Sequence, residues 1–141
     1  MDTTEIYTDG SSSGNPGPSG WAILVDSEIY SGGLLHATNN EAELYAVYQA
    51  VVHASDYTKI ICFTDSRVVC GWINMGWAMN NKQIKDLYNL ITMTCVAKHI
   101  ILRCRKVKGH EFNYQNNLVD HAASREAKAL KREMSPPLCV A

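Results

Sequence analysis

No lysine or arginine occurs before Lys59. All 13 basic residues lie from that point on, while eight of the 14 acidic residues precede it. The formal net charge of -1 therefore joins a first stretch at -8 to a remainder at +7. An acidic region calls for cations and a basic one suits a polyanion, so the two halves point either to a cation-dependent site beside a polyanionic partner or to a solvated charge mixture. Long apolar runs are missing as well. Nothing approaches the ~20 residues of a membrane span, and the N-terminus lacks the basic-then-apolar order of a secretory signal. Cysteine is present but unpatterned. Cys62, Cys70, Cys95, Cys104 and Cys139 make an odd number with no Cys-x-x-Cys, which argues against a zinc site. Most lie inside apolar runs, which predicts buried reduced thiols and a reducing, cytoplasmic setting with no membrane partner. At 141 residues and 46% hydrophobic, the chain is long enough for one globular domain with a full core.

Two short stretches repeat one pattern: Ile6-Tyr7-Thr8-Asp9-Gly10-Ser11 and Cys62-Phe63-Thr64-Asp65-Ser66. Each is an apolar, β-branched and aromatic run that ends in Thr-Asp and a small residue, as a buried strand does where it leaves a sheet. If the two strands are parallel neighbours, both carboxylates emerge at one edge, beyond the carboxyl ends of the strands, where open α/β sheets bind ligands.

The rest of the chain supplies the scaffold. Strands are predicted over 3–9, 21–25 and 29–35, the first two separated by a Ser-, Gly- and Pro-rich loop over 10–20 and the last two by a short turn at Asp26-Ser27. A helix begins at Thr38, whose spacing to Glu41 is that of a capping box, and runs to about Ser55. A strand over 59–64, helices over 66–74 and 82–97, a strand over 99–107, a polar loop over 109–115 and a helix over 116–132 complete the order. Ser135-Pro136-Pro137 stops the last helix, giving one domain over 1–134 and a loose tail over 135–141. The predicted fold class is α/β: a five-stranded mixed sheet with an antiparallel hairpin at one edge and parallel strands at the centre, flanked by helices.

Two acids sit on the apolar sides of helices. Glu43 shares its face with Ala46, Val47 and Ala50, and Asp120 shares one with Ala123 and Ala127, so both are expected to project inward; taken singly, each also reads as an acid held by the helix dipole or by solvent. A buried carboxylate without a partner costs several kcal/mol or takes up a proton. With Asp9 and Asp65 they make four acids able to converge. Four negative charges need countercharge, and hard oxygen ligands favour magnesium or manganese over zinc.

The motifs resemble those of type 1 ribonuclease H. Tyr7-Thr8-Asp9-Gly10-Ser11 with Gly14-Asn15-Pro16-Gly17, Thr38-Asn39-Asn40-Glu41-Ala42-Glu43-Leu44, Thr64-Asp65-Ser66, Val107-Lys108-Gly109-His110, and Asn116 through Asp120 to Ala122-Ala123 occur in family order over almost the whole chain. The resemblance implies the ribonuclease H-like fold, with metal ligands Asp9, Glu43, Asp65 and Asp120. It implies two Mg2+ ions, with Mn2+ as a substitute, and hydrolysis of the RNA strand of an RNA/DNA hybrid to 5'-phosphate and 3'-hydroxyl ends. In that scheme an ion shared by Asp9 and Asp120 orients water, and one held by Asp9, Glu43 and Asp65 steadies the leaving oxygen. His110 matches the histidine of a mobile loop that assists proton transfer or product release.

The resemblance also assigns substrate contacts to Gly10, Asn15, Thr38, Asn39, Asn40, Ser66 and Asn116, with Asn15, Asn39 and Asn40 in the minor groove and Thr38 at a DNA phosphate. Turn and capping chemistry accounts for the same residue types. Two departures stand out. The stretch over 71–85 is too short for the basic protrusion of many relatives, which predicts weaker hybrid binding, and Arg67 replaces a neutral polar residue. Trp72 and Trp77 are candidates for the DNA backbone or for the core, and Arg103, Arg105, Lys106 and Lys108 for phosphate or for a solvated edge. A monomer is expected. A domain excised from a reverse transcriptase and a non-catalytic hybrid-binding module are the alternatives; retention of all four acids disfavours the latter.

Overall fold

The structure, a computed structural model, describes residues 1–107 and 113–135. The elements are β1 (Asp2–Ser12), β2 (Gly17–Val25), β3 (Glu28–Ala37), α1 (Asn39–His53), β4 (Thr58–Thr64), α2 (Arg67–Met75), α3 (Lys82–Lys98), β5 (Ile101–Lys106) and α4 (Tyr114–Met134). They form one five-stranded sheet in the order β3-β2-β1-β4-β5. The pairs β1/β2 and β2/β3 are antiparallel, and β1/β4 and β4/β5 are parallel. This is the mixed sheet expected from the sequence, with an antiparallel meander on one side and the parallel strands from the centre outward.

The sheet separates two apolar layers. On one face Ile6, Ile23, Ile60 and Cys62 meet Leu44, Val47 and Val51 of α1, Val69 and Trp72 of α2, and Ile84 and Ile91 of α3. On the other face Ala22 and Leu24 meet Val119 and Ala123 of α4, with Tyr7 alongside. Each fully buried Ile, Leu or Val contributes on the order of 1.5–3 kcal/mol, so the first layer carries most of the apolar stabilisation.

Local chemistry sets the boundaries. Asp26 and Ser27 both take positive φ, 49° and 68°, as a two-residue hairpin turn requires. The Thr38 hydroxyl accepts from the Glu41 N–H at 3.1 Å and starts α1. Gly76, at φ 64°, ends α2 in the left-handed region, where glycine carries no Cβ penalty.

The expected loop over 10–20 is mostly strand. The ladder runs through Asp9↔Ala22, Gly10↔Trp21, Ser11↔Gly20 and Ser12↔Ser19, so the turn is confined to residues 13–16. Local Gly and Ser preferences for turns lose to cross-strand hydrogen bonding here, and two of the glycines serve another purpose.

Candidate active site

Parallel pairing of β1 with β4 puts Tyr7 opposite Phe63, and their rings stack at 4.9 Å between centroids. Two residues further along each strand lie Asp9 and Asp65. Side chains alternate along a strand, so both acids share the Tyr7/Phe63 face, toward α4, at the end of adjacent strands. Asp9 is 3% exposed and accepts a hydrogen bond from the Gly10 N–H at 2.8 Å. Asp65 is exposed.

Glu43 arrives from the opposite layer. A Cβ on Gly10 would lie 2.2 Å from the Ala42 carbonyl carbon and 2.3 Å from the Glu43 nitrogen. The bare backbone of β1 thus lets the first turns of α1 rest directly on the sheet, and half-buried Glu43 reaches the strand ends. Carboxylate oxygens of Asp9, Glu43 and Asp65 all lie within 4.8 Å of one another.

Asp120 corrects one expectation. It is exposed, while Val119, Ala123 and Ala127 form the buried line of α4. That line follows i, i+4, i+8, and the alanines let it sit so close to β2 that the contact is narrow. A Cβ on Gly20 would fall 2.1 Å from the Ala123 carbonyl oxygen. Asp120 lies about 100° around the helix from Val119 and faces the rim, not the apolar layer. The rim is where the cluster is: Asp120 acts on both Asp9 and Asp65.

Crowding shows in the protonation of these groups. Burial first, then the Asp65 charge and the Asp120 carboxyl, push Asp9 up to about 9, against the pull of the Gly10 N–H. Burial and then Asp65 raise Glu43 to about 7, while the Ser66 hydroxyl holds it down. Asp65, exposed as a residue, is raised by the partial desolvation of its carboxyl and then by Asp120, and lowered by Lys106. A site that holds protons this tightly without a cation is one that a divalent cation satisfies. The donor set is all carboxylate oxygen, which fits magnesium or manganese.

The structure gives several expected substrate contacts intramolecular roles. The Asn39 Oδ1 accepts from the Ser12 N–H at 2.8 Å, and the Asn15 Oδ1 accepts from the Asn39 N–H at 2.9 Å. Together they tie the β1–β2 turn to the start of α1. Asn15, Thr38 and Asn40 line a cleft with Trp72, Asn80 and Asn81, next to α2 and α3. Ser66 is the N-cap of α2, accepting from Val69, besides its role at Glu43. The Asn116 N–H donates to Asn113 at 2.8 Å, while its Oδ1 is buried with no partner among the described residues. Trp72 belongs to the core. Trp77 covers Gly71, and the Arg67 guanidinium lies 6.0 Å from its ring centre. His110 and Lys108 lie outside the described residues. Sequence reasoning missed the spacer role of Gly10 and the whole role of Gly20. It also missed the charge of Lys106 acting on Asp65, although the pairing Thr64↔Lys106 beside Asp65 makes that proximity readable once β5 is placed.

Comparison with known proteins accords with this geometry. The RNase H family model matches residues 1–128. Ribonuclease HI of Xylella fastidiosa strain 9a5c is 35% identical over 146 aligned positions, covering 92% of this chain and 95% of the relative. Among solved structures, the N-terminal RNase H domain of a Mycobacterium tuberculosis protein superposes with a TM-score of 0.79 at 19% identity, over 96% of this chain and 100% of that one. LC11-RNase H1 in complex with an RNA/DNA hybrid gives 0.73 at 18% identity, over 94% and 99%. At those identities the two structures bear on the fold, and the family match spans all four acids. The chain belongs to the RNase H family.

Proposed function

We propose that the protein is a metal-dependent endoribonuclease that hydrolyses the RNA strand of RNA/DNA hybrids by a two-ion mechanism, leaving 5'-phosphate and 3'-hydroxyl ends. The observation that carries this reading is the convergence of Asp9, Glu43 and Asp65 within 4.8 Å, with Asp120 at the rim. Family membership and a fold shared with an RNase H1 in complex with an RNA/DNA hybrid support the substrate class.

Asp9, Glu43, Asp65 and Asp120 are the residues to hold two Mg2+ ions, with Mn2+ as a substitute. When bound, such ions activate a water molecule and stabilise the leaving oxygen. The protein's own contribution is placement. The Gly10 N–H fixes the Asp9 carboxylate, the Ser66 hydroxyl orients Glu43, and Lys106 partly offsets the charge on Asp65. Asn40, Thr38 and the neighbouring cleft offer polar groups for the hybrid backbone, and Asn116, whose buried Oδ1 has no partner among the described residues, is assigned a further substrate contact. His110 is assigned proton transfer near neutral pH. We take the protein as a monomer with its catalytic unit at 1–134, acting in the cytoplasm; the four described cysteines are free thiols, which suits a reducing compartment.

The test is cleavage of a labelled RNA/DNA hybrid, with single-stranded and duplex RNA as controls, in magnesium and in EDTA. Cleavage confined to the hybrid, lost in EDTA and in Asp65→Asn, supports the reading. Hybrid binding without cleavage in magnesium refutes it.

A further inference from the structure

The outer face of α4 carries a continuous basic stripe. His121, Arg125, Lys128 and Arg132 follow i, i+4, i+7, i+11 and are all exposed. With Ser124 and Lys131 they line one open groove along the helix. The stripe lies opposite the buried line of Val119, Ala123 and Ala127, so it has no part in the apolar contact with the sheet. The helix acids lie to one side of it, with Glu126 lining the adjoining cavity beside His121 and Arg125. At 100° per residue, Glu126 and Glu133 point roughly 100° or more to one side, and Glu126 accepts from the Ser31 hydroxyl at 3.0 Å. Among the described residues no carboxylate pairs with Arg125, Lys128, Lys131 or Arg132; the ion pair among them is Lys82–Asp86, on α3. Four uncompensated cations in one groove make a site for a regularly spaced polyanion.

Its position decides which polyanion. The stripe starts one residue after Asp120 and runs 11 residues onward, about 16 Å at 1.5 Å per residue. A nucleic-acid strand presents about five phosphates over that length. We propose that the α4 groove binds the phosphodiester backbone of the hybrid beyond the cleaved bond. The proposal rests on the reading of the carboxylate cluster given above and extends it. It places the basic surface on α4, on the side of the sheet opposite α2 and α3.

The experiment measures KM and kcat for hybrids of about 6 and about 24 base pairs between 50 and 200 mM KCl, in the parent and in Arg125→Gln/Lys128→Gln/Arg132→Gln. Glutamine preserves helix propensity, and circular dichroism checks the fold. Neutralising three phosphate contacts lowers the slope of log KM against log salt by about 2.7, so over this range the parent's KM for the long hybrid rises about 40-fold more than the variant's. Expected is that difference in KM, with kcat at saturation retained, on the long hybrid alone. Equal salt slopes overturn the proposal and show an ordinary solvated face or a surface for an acidic protein. A fall of the same size on both lengths also overturns it, because the contact then lies within the cleaved segment. A parent that cuts neither hybrid refutes the catalytic reading, and that outcome is distinct from both.

Discussion

A methyl group at position 10 probes how the two layers meet. In an ordinary strand, replacing glycine with alanine stabilises by about 0.5–1 kcal/mol. Gly10 does not have positive φ, so alanine meets no backbone strain there. The obstacle is space. The new Cβ lies 2.2 Å from the Ala42 carbonyl carbon, and ordinary contact begins near 3.4 Å, so α1 has to withdraw by about 1.2 Å. The opposing atoms belong to the helix backbone, and no side-chain rotation relieves them. Overpacking of this kind costs about 1–3 kcal/mol, or a Tm lower by roughly 3–15 °C for a domain of this size. Glu43 moves with the helix, and a displacement near 1 Å lowers catalysis by about 100-fold. The assays are thermal melting with and without magnesium, and hybrid cleavage at saturating magnesium. Gly10→Ala is expected to melt lower, to gain less from magnesium and to cleave more slowly. Gly33→Ala is the control, because its new Cβ meets the end of the Leu130 side chain at 3.1 Å, which can move. A Gly10→Ala protein as stable as the parent, with the same response to magnesium and the same rate, refutes the spacer reasoning.

Two further outcomes follow from the site. Asp9 and Glu43 bind protons more tightly folded than unfolded, so the unfolded chain is the more ionised between the usual carboxylate range and about pH 9; the metal-free protein therefore loses stability as pH rises across that window. Melting in EDTA from about pH 5 to about pH 9 should show a falling Tm, and magnesium at a hundredfold excess over its dissociation constant should add about 2.7 kcal/mol per site near neutral pH; a flat profile in EDTA refutes the assignment. Asn39→Ala removes the acceptor for the Ser12 N–H and should cost about 1 kcal/mol, read as a Tm lower by roughly 3–5 °C; an unchanged Tm shows that solvent replaces the bond at no cost.

The twin Thr-Asp runs were legible because a buried parallel strand needs an unbroken apolar run and a polar stop, and two such stops on neighbouring strands can only share an edge. Glu43 was legible from its apolar helix face. Asp120 was placed on the wrong side because spacing alone does not say how wide a buried stripe is. Ala123 and Ala127 against a glycine make it narrow, and that width depends on Gly20, far away in sequence. The stretch over 10–20 misled for a related reason: glycine is read as a turn former when only the local chain is in view. Here Gly10 and Gly20 are selected by helices that arrive later in sequence, and no local signal reports such a demand. The Asn15–Asn39 tie is equally nonlocal, since either residue alone satisfies a turn or a cap.

Gly10 and Gly20 lie on adjacent strands and open the sheet on opposite faces, one to α1 and one to α4. The clustered acids are therefore drawn from three strata: two from the sheet, one from the helix above and one from the helix below. A nascent or partly melted chain with only one helical layer docked holds at most three of the four. The complete set of four acids therefore exists only when both layers have seated, so its assembly reports the folding of the whole domain and not of one half.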